Sequence, residues 1–167
     1  SNASRGLGDV YKRQETICSI DPSGRGADET TAAYISQRNG FLYVHEMRAY
    51  RSGYADETLL DILRGCKKYK ASSLLIESNF GDGIVAELFR KHIQTMQMNI
   101  GITETRANVR KEDRIIDSLE PVLNQHRLVV DRSVIDWDYK SNPDEAPERR
   151  LLYMVFLSLI HISEPTR

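Results

Sequence analysis

Short apolar runs that stop at an acid or a glycine, interleaved with longer stretches of helical period, set the rhythm of this chain. Ile17 to Ile20 is mostly apolar and ends abruptly at Asp21-Pro22, with the turn chemistry of Ser23-Gly24-Arg25-Gly26 behind it. Proline cannot donate to a sheet ladder, so the run reads as a strand whose last residue is the acid. Thr30 to Arg38 and Phe41 to Met47 read as two more strands joined at Asn39-Gly40, the strongest short hairpin signal. Together the three predict an antiparallel meander.

Tyr54 to Tyr69 carries Leu59, Leu60, Leu63 and Cys66 at helical spacing, and Lys67, Lys68 and Lys70 gather at its end, where cations suit the helix dipole. Ser72 to Glu77 is a fourth strand. Asp82-Gly83 then opens a helix with Val85, Leu88, Phe89, His92 and Ile93 on one face. Met98 to Thr103 is predicted as a fifth strand. Lys111 to Leu123 is predicted as a third helix, buried through Ile115, Ile116, Leu119 and Val122, with Pro121 distorting its last turn. Arg127 to Val130 reads as a short extension or edge strand. Asp131 to Ala146 is acidic and poorly periodic, a loop for which Trp137 is the packing anchor. From Arg149 the chain is helical and unusually apolar, and such a segment wants burial on several sides.

The bulk numbers narrow the class. A chain of 167 residues, 40% hydrophobic, suits one α/β domain with a real core. Its formal net charge is -1, so a nucleic-acid partner would have to be held by a local basic patch. Cys18 and Cys66 form no C-x-x-C pair and read as reduced core residues of a cytosolic protein. His45, His92, His126 and His161 lack metal-ligand spacing, which argues against a zinc site. No run reaches the roughly 18 apolar residues of a membrane span, and no secretory-signal pattern is visible.

The two ends differ from the middle. Ser1-Asn2-Ala3 resembles the scar of a cleaved tag, and Ser4 to Gln14 and Leu157 to Arg167 resemble translated sequencing-adapter peptides. The expectation is therefore a scar and artefactual tail at 1–14, a domain truncated at its carboxyl end at 15–156, and a second artefactual tail at 157–167. The alternative is a pair of genuine, frayed termini.

The order β-β-β-α-β-α-β-α is that of the ribonuclease H-like fold, an α/β architecture. Its mixed central sheet has three antiparallel strands, then parallel ones, flanked by helices. A right-handed crossover after the third strand places the fourth beside the first. Asp21 and Glu77 then stand at neighbouring strand ends, where open α/β sheets place ligands. Leu74 to Gly83 repeats the design of the first strand: apolar run, terminal acid, glycine-rich turn, helix. A carboxylate there is costly unless hydrogen-bonded or paired with a cation, and the alternative for Asp21 is a turn cap.

Three segments carry a more specific resemblance: Asp21 to Thr30, Glu77 to Gly83 and Leu119 to Val130. In this order they resemble the nuclease domain of a tailed-bacteriophage terminase large subunit, over about Ile17 to Phe156. Such subunits package viral DNA with an amino-terminal ATPase and cut the concatemer with a carboxyl-terminal nuclease. No G-x-x-x-x-G-K-[ST] occurs, so the ATPase is not in this chain. The resemblance makes Asp21 the first catalytic acid and Glu77 the second. The family's third acid, in a His-Asp-Asp segment after Arg-Leu-Leu-Tyr, has no counterpart after Arg150 to Tyr153, so an impaired nuclease is expected. The implied partners are double-stranded DNA and, in the full protein, the ATPase domain, the small terminase subunit and the portal. The implied location is the cytoplasm of the infected bacterium, with no membrane. An apolar face around Leu152, Val155 and Phe156 short of partners would favour a homodimer.

Phosphodiester hydrolysis in such a domain uses two ions about 3.5–4 Å apart, and hard Mg²⁺ or Mn²⁺ selects oxygen ligands. Asp21 would bridge the ions and Glu77 would bind one of them. Asp28 and Asp82, on the adjacent turns, could add outer ligands or merely cap those turns. Arg106, Arg110, Lys111 and Arg114 are candidates for phosphate contacts. Their alternative is a solvated charged face, since Glu112 and Asp113 sit among them. Competing functions are a junction resolvase or exonuclease on the same fold and a non-catalytic docking module. A nucleotide-binding actin-like variant would need a second phosphate loop and a longer chain.

Overall fold

Burial alternates along the first strand, which has one sealed side and one partly open side. The computed structural model describes residues 15–21, 30–51, 53–77, 83–105 and 121–140. Strands β1 (Glu15–Asp21), β2 (Thr30–Arg38) and β3 (Phe41–Tyr50) form the antiparallel meander, closed at Asn39 and Gly40, both at positive φ. After them come α1 (Asp56–Tyr69), β4 (Ser73–Glu77), α2 (Ile84–Thr95), β5 (Gly101–Thr105), β6 (Leu128–Val130) and α3 (Arg132–Lys140). The sheet runs β5-β4-β1-β2-β3-β6, with β4 parallel to β1, β5 parallel to β4 and β6 parallel to β3. This is the mixed sheet of the ribonuclease H-like fold.

The core forms where the even positions of β1, β2 and β4 meet the apolar faces of α1 and α2. Cys18, Ile20, Tyr34, Leu74 and Ile76 lie against Leu59, Ile62, Leu63, Cys66 and Phe89, all at most 1% exposed. Burying each large side chain contributes roughly 1.5–3 kcal/mol. Both cysteines are unbridged and buried, as expected. Tyr34 spans the interface, its hydroxyl donating to the Ile62 carbonyl at 2.8 Å. A Cβ on Gly65 would overlap that hydroxyl, so α1 can approach the sheet here only on a glycine.

At β3 the contact turns polar. Arg48 pairs with Glu46 at 2.6 Å and Asp61 at 3.1 Å and lies over the Tyr34 ring, 5.3 Å from its centroid. The Tyr50 hydroxyl donates to the same Asp61 carboxylate at 2.5 Å. Tyr34 pairs with Glu46 but Ile35 pairs with Val44, which leaves His45 as the extra residue of a bulge. That one-residue slip keeps Tyr43 and then Glu46, Arg48 and Tyr50 on the α1 side.

Three expectations need correction. β3 runs on past Met47 to Tyr50, because Arg48 and Tyr50 are held by Asp61 while pairing with Ala32 and Thr30. The fifth strand begins at Gly101 and not at Met98. The Met98 N–H is still closing α2 on the Ile93 carbonyl at 3.0 Å, and Gly101 joins the ladder by donating to Ser72 at 3.0 Å. The stretch after Asp131 is a helix over Arg132–Lys140, not a loop, so Trp137 sits in a helix. Asp131 starts it by accepting from the Ser133 N–H at 2.8 Å. Of the predicted Lys111 to Leu123 helix, residues 111–120 lie outside the described residues. From Pro121 the chain is helical, and the Pro121 carbonyl accepts the Gln125 N–H at 3.2 Å. The edge-strand reading of Arg127 to Val130 matches β6. No described helix is long and apolar enough to cross a membrane.

Candidate active site at two strand ends

Parallel pairing decides where the two acids stand. β1 and β4 are matched from Ile17↔Ser73 to Ile20↔Ile76. Asp21 and Glu77 each follow the last pair by one residue, so they end neighbouring strands. Parallel neighbours are about 4.8 Å apart. β5 extends the row, with Glu77 in register with Thr105. The carboxyl ends of three adjacent parallel strands thus meet at one edge, where open α/β sheets bind ligands.

The pleat assigns the face. Cys18 and Ile20 point into the core, so Asp21 is in phase with Ile17 and Ser19 on the opposite, partly open side. Glu77 occupies a position in phase with Ser73 and Leu75. Ile20 and Ile76, each 1% exposed, anchor both strands one residue below the acids. Strands pinned in this way hold an end position more tightly than a loop would. Carboxylate oxygens are the donor type that hard divalent cations take, whereas the thiols of Cys18 and Cys66 are sealed in the core.

The structure brings the backbones of Asp21 and Glu77 together. Asp28, Asp82, Arg106, Arg110, Lys111 and Arg114 lie outside the described residues, as do Leu152, Val155 and Phe156. Among the described residues no group of three or more His, Cys, Asp or Glu is placed to hold a metal ion. Two described histidines are engaged elsewhere: His45 shares a hydrogen bond with Ser36 at 2.7 Å, and His92 lies 3.0 Å from Asp56.

One acid beside the site escaped the sequence reading. The Glu104 carboxylate lies 3.6 Å from where a Cβ on Gly83 would stand, at the start of α2, where negative charge suits the dipole. Gly83 itself has φ +80, a left-handed conformation that favours glycine. Glu104 is in register with Ile76, so it belongs to the helix side of the sheet and not to the side of Asp21. Ending the predicted strand at Thr103 hid it.

Comparison with known proteins agrees with the fold. Residues 20–128 match the family described as Terminase Bacteriophage T7, Ribonuclease H-like domain. The chain is 37% identical over 150 residues to the large subunit of terminase from Enterobacteria phage T3, across 90% of this chain and 25% of that protein. It therefore spans about a quarter of that relative's length. Among solved structures it is similar to the human cytomegalovirus terminase nuclease domain, Mn soaked and inhibitor bound. That match has a TM-score of 0.56 at 12% identity, covering 95% of this chain and 87% of the other. The large terminase nuclease from thermophilic phage G20c with bound zinc matches at a TM-score of 0.54 and 10% identity, covering 93% and 85%. At such identities these two likenesses speak for the fold alone.

Proposed function

The chain belongs to the ribonuclease H-like domain family of the bacteriophage T7 terminase, and from that premise we propose that it is the metal-dependent endonuclease part of a terminase large subunit. Its substrate is concatemeric viral duplex DNA, cut by phosphodiester hydrolysis during packaging. The observation that supports this reading is the Ile20↔Ile76 register, which sets the positions of Asp21 and Glu77 side by side at the open end of the sheet.

Asp21 and Glu77 are the residues we assign to hold Mg²⁺ or Mn²⁺, with Asp28 and Asp82 as outer ligands. Divalent ions bound there supply a nucleophile at neutral pH and offset charge on the leaving oxygen. The chain's part is to keep its carboxylates at fixed strand ends and to hold the DNA backbone. Arg106, Arg110, Lys111 and Arg114 are assigned to phosphates, which position a duplex without reading its sequence. In the full protein, the ATPase domain, the small terminase subunit and the portal complete the packaging machinery.

Calorimetric titration with Mn²⁺ tests the assignment. Asp21→Asn should abolish binding, and Asp82→Asn should weaken it less. Metal bound only by the folded state should also raise the melting midpoint of the wild type and leave that of Asp21→Asn unmoved. Equal affinity in wild type and Asp21→Asn would sink the assignment.

A further inference from the structure

The strand end that carries Asp21 has a second feature two strands away. Asp21 pairs with Thr31, and Thr31 pairs with Ala49. Arg51 lies two residues past Ala49, just beyond the end of β3, which runs the same way as β1, so it stands past the same end of the sheet as Asp21. Two strand spacings and two residues of rise separate it from Asp21, roughly 10 Å across and 7 Å along. A nucleic-acid strand advances about 3.4 Å per phosphate, so that separation is a few nucleotides.

Arg51 is exposed and, among the described residues, has no ion pair. The arginine within β3, Arg48, is taken up by Glu46 and Asp61. The loop that follows Arg51 is tied down: Thr30, 1% exposed, donates its hydroxyl to the Gly53 carbonyl at 3.1 Å. Gly53 has φ +57, and a Cβ there would meet nothing within 4 Å. A solvated cation at the rim of a nuclease site has the chemistry of a phosphate contact.

We infer that Arg51 is a positioning residue that grips the backbone of the DNA a few nucleotides from the bond to be cut. The inference rests on the nuclease reading above and adds a contact on the β3 side, distant in sequence from the basic segment at 106–114. The test measures binding of the 167-residue chain to duplex oligonucleotides of several sequences over a range of salt, without metal. Arg51→Ala should weaken binding several-fold for every sequence and lower the slope of log K against log salt by about one. Arg51→Lys should keep the slope, and Arg64→Ala, the same charge loss on exposed α1 surface, should change neither quantity. The melting midpoint should be the same in all of them. If Arg51→Ala binds like wild type, or no worse than Arg64→Ala, the inference is wrong and the nuclease reading stands. If the wild-type chain binds no duplex at any salt, the nuclease reading fails and takes the inference with it.

Discussion

On one side of β1 lie Thr16, Cys18 and Ile20, at most 4% exposed; on the other lie Ile17, Ser19 and Asp21, each partly open. The division continues across β2, where Thr30, Ala32, Tyr34 and Ser36 are sealed and Thr31, Ala33 and Ile35 are not. α1 and α2 account for the difference, since their apolar faces pack on the first side only. A two-residue period thus lets one strand serve two ends at once. The sealed phase supplies the apolar burial that holds the sheet. The other phase can end in an acid, because a charge there keeps part of its water and avoids the desolvation cost of a dry interior.

The sharpest way to break this comparison is to strike each side once. Alanine normally improves a helix position held by glycine. At Gly65 it would overlap the Tyr34 hydroxyl, and an overpacked site of this kind costs about 1–3 kcal/mol or more. Asp21→Asn should shift stability by less than about 1 kcal/mol, as substitutions away from cores usually do. Urea melts of both variants give the answer. A larger loss for Asp21→Asn would mean that the open side holds the fold, and the comparison would collapse.

A smaller effect sharpens the account of the sealed side. Tyr34→Phe removes the bond to Ile62 and should cost about 1 kcal/mol. It should also change the response to alkali. Burial holds the Tyr34 hydroxyl well above its ordinary value, and burial with the Asp61 bond raises that of Tyr50. A raised folded value contributes stability that is fully present below the unfolded value and lost as pH climbs toward the folded one. Wild-type stability should therefore hold to about pH 10, the ordinary tyrosine value, and fall above it. In Tyr34→Phe the fall should be shallower, as denaturant midpoints between pH 8 and 11 would reveal.

The smallest change is expected at α3, far from the sealed core. Side-chain and backbone bonds to Ser133 hold the Asp131 carboxyl below the usual range. A depressed value contributes stability present above the unfolded value and lost as pH falls through the folded one. α3 should accordingly fray in acid, seen as faster amide exchange at Ser133 and Val134. Asp131→Asn should keep the cap, since Asn caps as well as Asp, but lose the acid dependence. If α3 frays equally in wild type and Asp131→Asn as pH falls, the cap is not the cause.

Legibility along the chain followed the strength of local signals. The meander was readable because Asn39-Gly40, which closes the hairpin at positive φ, stands between two runs of strand character. The last residues of β3 were not, since Arg48 and Tyr50 are polar residues whose strand status depends on Asp61 of α1. α3 was missed because it buries only Val134 and Asp138, too few positions to show a period. At the site, Asp21 stood out as an acid ending an apolar run before proline. Glu104 did not, because its meaning comes from Gly83, a residue of another element.

By itself the sequence determined where the apolar runs lie, where prolines and glycines end them, which stretches carry helical period, and that acids stand at the ends of two apolar strands. These are properties of a few consecutive residues, governed by backbone sterics and side-chain period. Only the tertiary structure decided that β4 pairs with β1 at Ile20↔Ile76, that β6 lies against β3, that His45 bulges, and that Gly65 admits Tyr34. Those outcomes depend on pairing between distant segments, and a one-residue slip would have turned every side chain of a strand to the other face. What fixes the register is the burial of Cys18, Ile20, Leu74 and Ile76 under α1 and α2, which no local stretch of sequence contains.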